Sequence, residues 1–204
     1  MGAERQPTAE PIRPEGPDLA RLSLDEIARA VADRRLPPVD QWNPAHCGHS
    51  DMRIARDGTW FHAGTPIGRA ALVRLFSTIL RREPDGRFVL VTPVEKLDIE
   101  VEDAPFIAVE ATSEGEGPDR RLAFRLNTDE VVIAGPDHPL RVETAADGTP
   151  RPYLHVRGPH ERPLEALVNR PVFYQLADLA LAERVAEGPP GLWSDGAFFP
   201  FDAG

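Results

Sequence analysis

Three polar side chains near residue 155 alternate with apolar ones, as they would on one face of a β-strand. Tyr153, His155 and Arg157 are separated by Leu154 and Val156, and successive residues of a strand point to opposite faces. An aromatic ring, an imidazole and a guanidinium on one face can stack on an anionic or ring-bearing ligand and donate hydrogen bonds to it. The spacing therefore predicts a ligand-binding face on this strand.

Other aromatic and cationic residues are candidates for the same kind of site. Trp60 and His62 flank Phe61 in a predicted hairpin and would share a face in the same way. Three arginines could add positive charge near a cleft between domains: Arg69, Arg74 and Arg141. The alternative is that all these residues are solvated and paired with ordinary carboxylates, because exposed aromatic and arginine side chains are common without a role.

A group of acidic residues raises the alternative of acid–base catalysis. Thr92 and Glu95 flank a bend that a proline fixes at the end of a predicted strand, and Asp103 follows a few residues later. A carboxylate within hydrogen-bonding distance of a histidine, such as His62 or His155, could transfer protons. A small hydrolase that uses Glu95 or Asp103 with a histidine is therefore the alternative function.

Metal, cofactor and nucleophile chemistry have little support. His46, Cys47 and His49 lie close together, but a zinc site needs a fourth ligand, and no second cysteine or paired histidine stands at a suitable spacing. The alternative is a buried thiol among loop histidines. No nucleophile elbow, phosphate-binding loop, dinucleotide fingerprint or zinc-protease motif occurs. We predict no metal, no cofactor and no identifiable catalytic residue.

Composition narrows the possible partners. The net charge of the 204 residues is −10, which argues against coating nucleic acid or binding an anionic membrane surface. A single cysteine suits a reducing cytosol, and no secretion signal or apolar membrane span is visible. We expect a cytoplasmic protein whose partner is a small anionic ligand or another protein. Its oligomeric state is not predicted.

The first two segments of the chain are predicted from prolines, caps and periodicity. Residues 1–18 contain four prolines and are predicted to be a disordered leader. Residues 19–83 are predicted to form an N-terminal α+β domain, with a first helix capped by Ser23. A hairpin turns at Asp57-Gly58, and a second helix begins at Thr65-Pro66. The apolar stripe of this second helix is expected to be core.

Residues 84–204 are predicted to be a β-rich domain that ends in a helix and an aromatic tail. Alternation of apolar and polar residues predicts strands near 87–92, 97–101, 106–112, 120–126, 130–134, 139–143 and 153–157. Pro163 and Pro171 suit first-turn positions of the late helix, and Gly188 would cap its end. The tail, with Trp193, Phe198, Phe199 and Phe201, is expected to pack back onto the body.

The order of elements predicts a two-lobed α+β fold. The C-terminal unit is similar to a pleckstrin-homology-like barrel or sheet closed by a helix. Asp57-Gly58 precedes a strand, a glycine and a helix, and Asp147-Gly148 precedes what is predicted to be the same series. This repeated series of elements suggests an internal duplication.

A series of short motifs, spread over roughly residues 20 to 200, carries a resemblance to a known family. The motifs are 47–48, 51–54, 57–61, 64–67 with Arg69, 72–76, 92–96, 101–106, 138–141 and 152–154. Together they resemble the bacterial domain-of-unknown-function family 1285. Thr65 stands where that family has serine, and it keeps the hydroxyl group. The resemblance implies two domains with internal duplication, a superficially pleckstrin-like C-terminal domain, a ligand or partner site between the domains, and a role in signalling.

These observations favour a binding or signalling module. We expect its inter-domain cleft to recognise a small anionic ligand or a protein partner. The hydrolase stays the alternative, and an interaction protein that acts through its aromatic tail is a third possibility.

Overall fold

The computed structural model describes residues 36–183 and 188–201. The leader at 1–18 and the first helix at Ser23 were predicted for residues outside this part. The described part is mostly β, with two α-helices and fourteen strands. Twelve of the strands form two curled sheets of six, one in each of two lobes.

The first sheet contains the strands from residue 46 to residue 101. They are β1 (His46–Ile54), β2 (Trp60–His62), β3 (Thr65–Pro66), β4 (Leu80–Arg82), β5 (Phe88–Val91) and β6 (Glu95–Val101). Helix α1 (Ala70–Thr78) lies between β3 and β4 in the chain. The strand order is β3-β2-β1-β6-β5-β4, and only β1 and β6 run parallel.

The second sheet contains the strands from residue 106 to residue 168. They are β7 (Phe106–Glu114), β8 (Arg121–Leu126), β9 (Val131–Ile133), β10 (Leu140–Thr144), β11 (Pro150–Arg157) and β12 (Leu164–Val168). The order, read from the β9 edge, is β9-β8-β7-β12-β11-β10, and only β7 and β12 run parallel. Helix α2 (Arg170–Ala182) and a hairpin of β13 (Gly191–Ser194) and β14 (Ala197–Pro200) follow.

The two sheets have the same topology. Each consists of two three-stranded antiparallel meanders, joined at the centre by a parallel pair of its first and last strands. This identity supports the internal duplication, but not the predicted alignment of the repeats. The turn at Asp147-Gly148, between β10 and β11, corresponds to the turn at Asp85-Gly86, between β4 and β5. The predicted counterpart, Asp57-Gly58, joins β1 and β2.

Asp-Gly turns fix three of these hairpins by one mechanism. The Asp57, Asp85 and Asp147 carboxylates each accept a hydrogen bond from the backbone N–H two residues later, at 2.9, 3.1 and 2.9 Å. The glycines that follow have φ of +84°, +88° and +80°, a region that glycine enters at little cost. The hairpin predicted at Asp57-Gly58 is confirmed.

The division between the lobes falls at residues 102–105, whereas the sequence predicted it after residue 83. Strands β5 and β6 belong to the first sheet because they pair with β4 and β1. The sequence pattern changes at Pro84 from one that predicts helix to one that predicts strands. In the structure Pro84 lies in the turn of the β4–β5 hairpin, inside the first lobe.

The second predicted helix begins later than expected. Thr65 and Pro66 form strand β3, which pairs with Phe61 and His62, and the N-cap of α1 is Arg69. Only part of the apolar stripe is core, because Leu72 and Leu75 of α1 are 37% and 58% exposed. Phe76 and Ile79 of the stripe do pack against the core.

The late helix begins at Arg170 rather than near Pro163, because residues 164–168 form strand β12 beside β7. The Asn169 side chain caps α2 by accepting from the Val172 N–H at 3.0 Å, and Pro171 occupies the first turn as predicted. The helix ends at Ala182, well before Gly188.

The aromatic tail packs onto the second lobe with one of its faces. Phe199 and Phe201 are buried, and the ring centroids of Phe201 and Phe173 are 5.6 Å apart. Trp193 and Phe198 pair on the opposite, exposed face of the hairpin. In the described ranges no helix is long and apolar enough to cross a bilayer.

Candidate functional site

A cavity of about 300 Å³ lies between the two lobes. The first lobe contributes Thr78, Leu80, Arg81 and Arg82 from the end of α1 and from β4. The second lobe contributes Arg157 and residues 158, 159, 162 and 164 from the loop between β11 and β12. Residues 36–41 form the third wall. We call this space the inter-lobe cavity.

Arg81 fastens the third wall to the first lobe. Its guanidinium donates to the carbonyl oxygens of Val39 and Trp42, both at 2.7 Å, and to Glu83 at 2.7 Å. Arg81 is 7% exposed. These hydrogen bonds compensate for the hydrogen bonds to water that the guanidinium loses on burial. The segment that begins at Leu36 is thereby held against β4.

Two arginines of the second lobe reach across to the first lobe. Arg157 donates to Glu130 at 3.0 Å and to the carbonyl oxygen of Ser77 in α1. Arg162 donates to the carbonyl oxygen of Arg82 at 3.1 Å and to the carboxylate of Asp40 at 2.9 Å. Both guanidiniums therefore join the lobes at the edge of the cavity.

Arg82 differs from the other three arginines that line the cavity. Its guanidinium lies 5.4 Å from the ring centroid of Phe88, and it makes no hydrogen bond or ion pair within residues 36–183 and 188–201. No described residue therefore occupies its donors.

The charge around the cavity is positive although the chain is acidic. Three of the four arginines pair with carboxylates: Arg81 with Glu83, Arg157 with Glu130, and Arg162 with Asp40. Lys96 shares Glu83 at 3.1 Å. Among the described residues, the cavity walls themselves carry four arginines and one carboxylate, that of Asp40. A small anion would be attracted into this space.

Tyr153 and Arg141, two predicted site residues, lie together but away from the cavity. The Tyr153 hydroxyl donates to Asp103 at 2.9 Å, and Arg151 pairs with the same carboxylate. The guanidinium of Arg141 lies 4.6 Å from the Tyr153 ring centroid and donates twice to Glu165, at 2.8 Å each. Burial raises the pKa of Tyr153. These groups satisfy one another and leave no open ligand face.

His155 is a buried residue rather than a member of an exposed face. It is 6% exposed, its Nε2 lies 2.9 Å from the carbonyl oxygen of Gly158, and its ring stacks on His160 with centroids 5.0 Å apart. A register shift in β11 separates it from Arg157. The predicted common face of Tyr153, His155 and Arg157 is therefore wrong, because this strand is covered on both sides.

Stability is expected to fall when the solution becomes mildly acidic. Burial lowers the pKa of His155 from its ordinary value of 6.5, so the unfolded chain takes up a proton before the folded chain does. The free energy of unfolding should decrease as pH falls through about 6.5 toward the lowered pKa of the folded state. Urea unfolding between about pH 7.5 and 5.5 measures this dependence.

The change His155→Gln should flatten that dependence, since it removes the titrating ring. His160→Gln is the matched control, because His160 stacks on the same ring but is exposed, and it should keep most of the slope. An unchanged slope in His155→Gln would assign the effect to another group.

Trp60 and His62 do not share an exposed face. Trp60 is 1% exposed and belongs to the core, whereas His62 is exposed at the end of β2. Arg74 pairs with Asp129 and so joins α1 to the second lobe. Arg69 is exposed at the N-cap of α1. None of these four residues lines the inter-lobe cavity.

The residues of the hydrolase alternative do not form an acid–histidine pair. The Thr92 hydroxyl accepts from the N–H groups of Val94 and Glu95, at 3.3 and 3.1 Å, and so stabilises the turn between β5 and β6. Glu95 lies opposite His46 in the strand register, but its side chain makes no hydrogen bond among the described residues. Asp103 is occupied by Arg151 and Tyr153. Among the described residues, neither Glu95 nor Asp103 therefore has a side-chain hydrogen bond to a histidine.

His46, Cys47 and His49 lie along strand β1 and are exposed. The expectation of a buried thiol is wrong, because Cys47 is on the solvent side of a strand and not in a loop. Within the described residues no three histidine, cysteine or acidic side chains group closely enough to hold a metal ion.

Sequence reasoning found Arg157 and missed the arginines opposite it. Arg81 and Arg82 follow Leu80 directly, where the apolar stripe of the predicted helix ends. Arginine is a good helix former, so two adjacent arginines at that point gave no signal for a strand or for a cavity wall. Arg162 lies in a loop that was predicted to begin a helix, so its role could not be foreseen.

Comparison with known families and structures gives a consistent result. The DUF1285 N-terminal domain, a domain of unknown function, matches residues 37–104, and the DUF1285 C-terminal domain matches residues 105–201. No curated protein matches the sequence.

Two solved structures are similar to the chain. A DUF1285 family protein from Silicibacter pomeroyi DSS-3 is 49% identical, with a TM-score of 0.74, over 88% of this chain and 94% of that one. Another, from Shewanella baltica OS155, is 28% identical, with a TM-score of 0.46, over 62% of this chain and 90% of that one. The resemblance predicted from the short motifs is confirmed.

Proposed function

We propose that this protein is a binding module for a small anionic ligand. The chain belongs to the DUF1285 family and contains both of its domains. The inter-lobe cavity is the proposed site. The observation that carries the proposal is a cavity of about 300 Å³ walled by four arginines from both lobes. Its size is at the lower end of small-molecule sites in proteins.

The charges around the cavity support an anion over a neutral or cationic ligand. The walls keep an excess of positive charge after Glu83, Glu130 and Asp40 are counted. Arg82 offers a planar set of donors that suits a carboxylate or phosphate. The absence of an acid–histidine pair at Glu95 and Asp103 in the described part favours binding over hydrolysis.

The position of the cavity between the lobes supports a signalling role as part of this proposal. Arg157 and Arg162 donate both to the first lobe and across the cavity edge, so a ligand that competes for these donors would change the contacts between the lobes. A ligand that binds more tightly to one arrangement of the lobes than to another shifts the equilibrium between those arrangements. The likeness of the second lobe to a pleckstrin-homology barrel is part of this proposal, supported by helix α2 after the last strand of the sheet.

Thermal-shift measurements with inorganic phosphate, nucleotides and small carboxylates test the proposal. At a hundredfold excess over Kd, a ligand should raise the Tm of the full chain by about 5 °C or more. The change Arg82→Gln should remove most of that shift, because it takes away free donors without breaking an ion pair.

Arg87→Gln is the matched control. Arg87 belongs to the same sheet but pairs on the surface with Asp85 and Asp98, so its replacement should leave the ligand-induced shift unchanged. If no anion raises the Tm, or if both variants lose the shift equally, the inter-lobe cavity is not an anion site.

A further inference from the structure

The walls of the inter-lobe cavity are mostly apolar, and their polar side chains are the four arginines with Asp40, Gln41 and Thr78. Hydrocarbon groups come from all three walls: Leu36, Pro37, Val39, Leu80, Pro159 and Leu164. The apolar part of a ligand bound in this space would be buried by the cavity walls. Burial of apolar surface favours binding in proportion to the area removed from water. A ligand that fills the cavity therefore needs more than a charged group.

The charged part of such a ligand has one evident partner. Arg157 and Arg162 already donate to carboxylates and carbonyl oxygens, and Arg81 donates three hydrogen bonds through its Nε and Nη1 atoms. Within the described part of the chain, the one interaction of the Arg82 guanidinium is with the Phe88 ring. A ring against one face of a guanidinium leaves its edge donors free, and that edge matches the two oxygens of a carboxylate.

We infer that the cavity takes a small monocarboxylate with an unbranched or aromatic apolar body, held at its charged end by Arg82. This inference rests on the proposed function and specifies its ligand. A phosphate ester is disfavoured by the same walls, because its larger charge and three acceptor oxygens call for several free donors. Of the four arginines that line the cavity, only Arg82 has no hydrogen-bond acceptor among the described residues.

Isothermal titration of the full chain with butanoate, hexanoate and octanoate tests the apolar body. Each added CH₂ group should strengthen binding by about fourfold until the cavity is full. Hexanamide, which has the same body without the charge, should bind about tenfold more weakly than hexanoate or worse. Inorganic phosphate alone should bind more weakly than hexanoate.

The variants Arg82→Gln and Arg87→Gln assign the carboxylate to its partner. Arg82→Gln should weaken hexanoate binding by about tenfold or more and leave hexanamide unchanged, whereas Arg87→Gln should change neither. Equal binding of hexanoate and hexanamide would overturn the inference.

The ligand class and the proposed function fail in different ways. If inorganic phosphate or a nucleotide binds, loses affinity in Arg82→Gln, and no alkanoate competes with it, the carboxylate inference is wrong and the anion site stands. If neither carboxylates nor phosphates bind to the wild-type chain, both are wrong.

Discussion

Replacement of Arg81 by methionine is expected to lower the free energy of unfolding by about 3 kcal/mol. The guanidinium is buried and donates to Val39, Trp42 and Glu83. Methionine fills similar space, but it leaves the Trp42 carbonyl oxygen and part of a carboxylate without donors, and the Val39 carbonyl oxygen keeps only the Trp42 N–H at 3.3 Å. Glu83 keeps Lys96 at 3.1 Å, which limits the loss to the lower end of the range for a broken buried ion pair. Urea unfolding at neutral pH measures the change.

Arg87→Met is the control for Arg81→Met. Both arginines form ion pairs with carboxylates of the first lobe. The Arg87 side chain is 58% exposed, whereas the Arg81 side chain is 8% exposed. The control should unfold like the wild type, because exposed ion pairs contribute little. An Arg81→Met protein as stable as the control would show that segment 36–42 is held by its apolar contacts and not by this guanidinium.

The local elements of the fold were predictable from the sequence, and their arrangement was not. Alternation places every strand from β5 to β11 within a few residues of its position, because each strand has a solvent face or a turn that marks it. Strand β12 was missed because residues 164–168 form a short, mostly apolar run after a proline and contain leucine, glutamate and alanine, which also favour a helix. The parallel pairing of first and last strands is a long-range contact for which a single sequence carries no signal.

The sequence identified one residue of the candidate site and could not identify the others. Arg157 was identified because strand alternation singled it out, although its supposed neighbours Tyr153 and His155 turned out to be buried. Arg81, Arg82 and Arg162 are brought to it by the contact between lobes, and periodicity within one element cannot reveal such a contact. The positive charge of the cavity is likewise invisible in a net charge of −10.

The change Gly58→Ala should destabilise the protein by about 3 kcal/mol, since it affects the contact between lobes as well as the turn. A Cβ atom at Gly58 would lie 2.6 Å from Nδ2 of Asn127 and 2.7 Å from Cγ1 of Ile107, both in the second lobe. Asn127 cannot yield freely, because its side chain accepts from the Ile107 N–H at 3.0 Å and donates to the Gly58 carbonyl at 3.3 Å. Overpacking costs about 1–3 kcal/mol, and the positive φ adds about 1 kcal/mol.

Gly86→Ala and Gly148→Ala separate these two costs. Both glycines occupy the same kind of Asp-Gly turn with nearly the same positive φ, but no atom lies within 4 Å of a Cβ built at either position. Each control should therefore lose only about 1 kcal/mol, the backbone cost. The excess loss in Gly58→Ala, measured by urea unfolding, then belongs to the packing of the first lobe on Asn127 and Ile107. Equal losses in all three variants would mean that the lobes accommodate the methyl group by moving apart, and that their contact at this turn contributes little to stability.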